Sequence, residues 1–101
     1  MFGIMKAIYK FHWDVGRMGN LNGLFIAEKD DVEKIIGSHI YFGEVLGKHS
    51  EVYGDLNEED LEMKTDDQEF ISKLQKILNV ESTISGYNPF DYYEEEDEDE
   101  E

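Results

Sequence analysis

Three histidines and a surplus of carboxylates are the residues of this chain that first invite a chemical reading. His12 and Asp14 are two apart, so on a strand they share a face, and His39 opens a separate apolar stretch. A metal site needs ligands held at set spacings, such as two histidines four apart on a helix, and no such pair occurs. His49 and Ser50 are adjacent, so on extended chain they point to opposite sides. No acid can be assigned to orient that histidine, and a nucleophile–base pair does not form. No catalytic residue, metal or cofactor is therefore expected, and a non-enzymatic role follows.

Two glycine-bearing segments invite a phosphate-binding reading. Gly43, Gly47, Lys48, His49 and Ser50 imitate a phosphate-binding loop. Only three residues separate the glycines, His follows Lys where Ser or Thr belongs, and an apolar alternating stretch follows instead of a helix. A β-turn presenting Lys48 and His49 at its tip is expected. Gly16, Arg17, Gly19 and Gly23 make a second loop, without dinucleotide spacing but with one cation at Arg17. Both loops are candidates for partner contact.

Charge narrows the class further. The chain carries 25 acidic and nine basic groups, a net −16. Nine of those acids lie in residues 87–101, which hold no basic residue. A chain of this sign is repelled by nucleic acid and anionic membrane and attracted to basic surfaces. There is no Cys, so disulfides and thiolate chemistry are excluded. No apolar run approaches the ~20 residues of a membrane span. Residues 1–6 lack a basic flank followed by a long apolar stretch, so no signal peptide is read and an intracellular protein is expected.

The elements that must position these residues follow from periodicity. Ala7, Tyr9, Phe11 and Trp13 alternate with Ile8, Lys10, His12 and Asp14, which predicts a strand over 5–15. Asn22-Gly23 predicts a tight turn, with a short strand over 24–28. Val32, Ile35 and Ile36 share one side of a short helix that Gly37 ends. Strands are predicted over 39–45 and 51–56, and a brief fifth over 61–64. Thr65 with Gln68 has the spacing of a capping box, and Phe70, Ile71, Leu74, Ile77 and Leu78 form an apolar helical stripe closed by Asn79. Residues 80–86 read as a connector. The prediction is an α+β domain over 1–86: an antiparallel sheet of four to five strands with two helices on one face. Trp13, Phe25, Phe70 and Leu74 are expected in the core. Residues 87–101 are expected to be a disordered acidic tail.

The stretches 13–27 and 40–56, with GRMG at 16–19 and FGEVLGKHSEV at 42–52, resemble a set of small phage-encoded proteins of unassigned function. The likeness runs over about residues 5–78. It implies a phage origin and a host-cytoplasmic setting. With the charge, it leads to the expectation of an accessory protein that binds and inhibits a basic, nucleic-acid-binding host protein. The acidic stretch with Glu51, Asp55, Glu58, Glu59 and Asp60 would supply one contact surface. The tail would supply another, Tyr92 and Tyr93 imitating stacked bases and Glu94, Glu95 and Glu96 imitating phosphates. The alternative is a phage structural or assembly protein that uses Arg17, Lys48 and His49 in its two loops for subunit contacts.

Overall fold

The computed structural model describes residues 5–48 and 51–93. Its six strands are β1 (Lys6–Asp14), β2 (Asn20–Glu28), β3 (His39–Gly43), β4 (Val52–Asp55), β5 (Leu61–Thr65) and β6 (Thr83–Gly86). Two helices, α1 (Lys29–Ile35) and α2 (Gln68–Leu78), complete the α+β architecture. The strands divide into two antiparallel sheets, one ordered β5-β1-β2-β6 and the other the β3-β4 hairpin.

The alternation in β1 sets both layers. Tyr9 pairs with Phe25 and Phe11 with Gly23, so one face of the large sheet presents Ala7, Tyr9, Phe11, Leu21 and Phe25, all buried. The β3-β4 hairpin covers that face with Ile40, Phe42 and Val52, and α1 adds Val32 and Ile35. The opposite face carries a smaller apolar patch, where Ile8 and Ile26 are buried beneath Ile71 of α2 and Leu24 and Ile84 pack at the margin. The helices therefore lie on opposite faces, not on one. Ile8 and Ile26 need cover of their own.

The link from β1 to β2 is a 3-10 turn over Gly16–Met18, not a turn at Asn22-Gly23. Gly16 and Gly19 supply the positive φ it requires. Gly23 serves a different need. It pairs with Gly86 of β6, and a Cβ there would overlap the backbone of Tyr87.

Helix α2 is capped by Asp67, whose carboxylate accepts from Glu69 N and Phe70 N at 3.1 and 3.2 Å. Thr65 and Gln68 form no capping box. Gln68 instead bridges to β1, its Nε2 donating to Lys6 O at 2.7 Å. The helix is thereby phased so that Ile71 faces the sheet. Leu74 is half-buried, while Phe70 and Ile77 stay 48% and 77% exposed. Among the expected core residues Phe25 is fully enclosed, Trp13 is half-buried and Phe70 is not core. Asn79 closes the helix in the left-handed conformation, as its sequence position suggests.

The packed body extends past residue 86. Tyr87 N donates to Asn22 O at 3.0 Å, and Asn88 and Pro89 are buried. Phe90 meets Phe25 edge-on at 5.8 Å, and Tyr92 lies 4.6 Å from Phe42. Tyr41 N donates to Tyr92 O, and Tyr93 bridges Ile40. Residues 87–93 thus form a strap across the main core and are not part of a disordered tail. Four aromatics and a proline against one acid give this segment enough apolar surface to bury. The remainder of the expected tail, with Glu94, Glu95 and Glu96, lies outside the described residues. Among the described residues no helix is long and apolar enough to cross a membrane.

Candidate partner-binding groove

The hairpin's two edges have different fates. The strap lies along the outer edge of β3, while among the described residues no strand pairs with the outer edge of β4. The direction of its backbone groups follows from two bonds. Leu56 N donates to Ser38 O at 2.9 Å, toward β3, whereas Tyr41 N turns away from β4 to reach Tyr92. Backbone groups alternate sides along an antiparallel strand. Tyr53, opposite Tyr41, and Asp55, opposite His39, therefore turn their N–H and C=O outward.

Facing that edge is the end of β1. Strand β5 pairs with β1 only as far as Phe11, so Trp13 and Asp14 extend beyond its cover. Between them and β4 lies an open groove of about 650 Å³ lined by Trp13, Asp14, Val15, Glu51, Val52, Tyr53, Gly54, Asp55, Asn57 and Asp60. Trp13 forms the floor. Its ring packs on Phe11 and Phe42, and a Cβ on Gly54 would stand 3.6 Å from it. The indole Nε1 donates to Asp60 Oδ2 at 2.8 Å, and the same oxygen accepts from Asn57 N at 2.8 Å. Asp60 thus locks both the ring and the 3-10 turn Glu58–Asp60. Tyr53 and Tyr41 stack at 6.4 Å on the solvent side of the hairpin, 59% and 38% exposed.

Four carboxylates, those of Asp14, Glu51, Asp55 and Asp60, border this space, and among the described residues no basic side chain lines it. Its chemistry is that of a cation receptor with an aromatic floor and an adjacent strand edge.

The expected contact residues are distributed unevenly. Glu51, Asp55 and Asp60 converge on the groove, and Glu58 and Glu59 sit exposed on the turn beside it. Arg17 is exposed on the 3-10 turn after β1. That turn approaches the one holding Lys48, since a Cβ on Gly19 would lie 4.0 Å from Leu46. His49 and Ser50 lie outside the described residues. Tyr92 and Tyr93 are half-buried in the strap, which corrects their assignment as exposed base mimics.

The two described histidines, His12 and His39, do not meet. His12 Nδ1 contacts Asn22 Oδ1 at 2.7 Å on the large sheet, while His39 Nδ1 stands 3.6 Å from Asp55 Oδ1 on the hairpin. Among the described residues no group of three or more His, Cys, Asp or Glu side chains could hold a metal ion. Lys29 donates to Asp66 at 2.8 Å, which raises the ammonium and lowers the carboxyl, and burial raises the Tyr9 phenol.

Sequence reasoning passed over Trp13, Asp14, Tyr53 and Asn57 as groove residues. The usable signal was length. A nine-residue strand flanked by a five-residue one must leave an overhang. Comparison with protein-family models, curated proteins and solved structures finds no match.

Proposed function

We propose that this protein is a non-enzymatic binding protein whose acidic surface holds a basic protein partner. In keeping with the resemblance to small phage proteins, the partner is a host nucleic-acid-binding protein, and occupying its basic face inhibits it in the host cytoplasm. The observation that carries this reading is the convergence of Asp14, Glu51, Asp55 and Asp60 on one groove with no cation among its described walls. Four carboxylates around a half-open space raise the local negative potential and favour the approach of Lys and Arg. The mimicry of nucleic acid is one of charge. The strap aromatics are committed to the core and do not stand in for bases.

The test is capture from a bacterial lysate on the immobilised full chain, followed by elution with duplex DNA. Nucleic-acid-binding proteins released by DNA and by added salt support the reading. Captured proteins that DNA does not displace count against it. A second reading, a phage assembly protein, draws on the exposed apolar flank of α2 at Phe70, Ile77 and Leu78. Recovery of virion proteins in a salt-resistant form would favour it.

A further inference from the structure

We infer that the open edge of β4 is a strand-docking site for an extended, Lys- and Arg-rich segment of the partner. This deepens the reading above and rests on it. Three features, independent of one another, point to the same occupant.

The first is backbone. Tyr53 and Asp55 direct N–H and C=O groups into the groove, and strand addition satisfies such groups in a register set by the host strand. Soluble proteins ordinarily protect an open edge with lysines, a proline or a covering segment. Here β4 (Val52–Asp55) carries neither lysine nor proline, Glu51 precedes it, and Glu58, Glu59 and Asp60 follow two residues beyond its end.

The second is charge on both faces of the incoming chain. Tyr53 and Asp55 share the solvent-side face of the hairpin, whereas Trp13, with Asp60 bonded to its indole, lies on the core side against Gly54. A strand seated along β4 places successive side chains alternately toward these two walls. Basic residues in both alternating sets find a carboxylate, so the favoured ligand is basic along its length.

The third is the indole. A cation over the Trp13 ring gains from the ring's negative face, and Asp60 fixes that ring's orientation. Trp13 is also the sole tryptophan in the chain, so its emission reports on this groove alone.

The experiment uses the full chain and two synthetic peptides of about eight residues, the length of a typical strand with its flanks. One alternates lysine with arginine and valine so that both faces are basic. The other has the same sequence with alternate backbone nitrogens methylated, which keeps the charge and removes the strand-pairing donors. Binding is followed by Trp13 emission and by backbone amide shifts at low salt. The expected result is a change in Trp13 emission, amide shifts centred on Tyr53 and Asp55, and binding of the methylated peptide about tenfold or more weaker. Glu51→Gln combined with Asp55→Asn should weaken the unmethylated peptide to a similar degree and flatten its salt dependence. Equal affinity for the two peptides overturns strand docking. Amide shifts confined to residues 94–101 overturn this site while leaving the proposed function intact. If neither peptide binds at low salt, both are overturned.

Discussion

Replacing Gly23 with Ala should loosen the strap that closes the main core. Gly23 pairs with Gly86 where β2 meets β6, and the chain then turns back over β2 so closely that Tyr87 N reaches Asn22 O at 3.0 Å. An added Cβ would overlap the Tyr87 carbonyl oxygen and stand 2.7 Å from its carbonyl carbon. Backbone cannot rotate aside, so residue 87 must move. The Tyr87–Asn22 bond contributes about 0.5–1.5 kcal/mol, and forcing an extra methyl into packed surroundings costs about 1–3 kcal/mol. The expected loss is therefore about 2–4 kcal/mol, a large share of the roughly 5–15 kcal/mol of a small domain. Gly37→Ala is the control. Gly37 has a φ of +93° with nothing within 4 Å of an added Cβ, so only backbone strain of about 1–2 kcal/mol applies. Urea unfolding of both variants, followed by Trp13 emission and compared at equal denaturant slope, gives the ranking. A Gly23→Ala variant within about 0.5 kcal/mol of the parent chain would refute the account of the strap.

Truncation after Tyr93 removes eight carboxylates but no described contact, and should leave the urea midpoint unchanged or slightly raised, whereas truncation after Gly86 should abolish cooperative unfolding. Equal midpoints for the two would contradict the packing of residues 87–93. Ile71→Ala should cost about 2–5 kcal/mol, while Ile77→Ala, at 77% exposure, should cost well under about 1 kcal/mol; a reversed order by thermal or urea unfolding would show that α2 is phased differently. The Lys29–Asp66 pair should appear in the pH profile. The hydrogen bond from Lys29 lowers the Asp66 carboxyl, so its contribution is present above about pH 3.8 and is lost as pH falls through the folded value. The raised Lys29 ammonium contributes below about pH 10.5 and is lost as pH rises past it. Lys29→Met should flatten both limbs of a urea-midpoint profile, and an unaltered acid limb would refute the pairing.

The alternation in β1 was legible because one face is uniformly apolar, and it placed Ala7, Tyr9 and Phe11 in the core directly. Three misreadings share a cause, since in each a local rule met a tertiary partner. Asn22-Gly23 has turn chemistry, yet Gly23 is glycine because Tyr87, far along the chain, passes over it. Thr65 and Gln68 have capping spacing, yet Gln68 bonds to Lys6 and Asp67 takes the cap. Phe70 belongs to the helical stripe, but the small apolar patch beneath α2 is centred on Ile8 and Ile26 and is filled by Ile71. The boundary at residue 87 went wrong through averaging. The charge of 94–101 was spread over 87–93, whose composition is that of a core segment. For the groove, the acids at Glu51, Asp55 and Asp60 were visible as a run. That they face Trp13 and Asp14 depends on where β5 stops, which pairing decides and spacing does not.

We propose that the acid-lined groove beside β4 receives a basic segment. The most direct test is Trp13 emission during titration of the intact chain with a lysine- and arginine-rich peptide, at about 0.05 M and again at about 0.5 M salt, where screening shortens from over 10 Å to under 5 Å. A saturable emission change is expected at low salt, weakening steeply at high salt. Calorimetric binding of the same peptide with no change in Trp13 emission, or no binding at low salt, would contradict it.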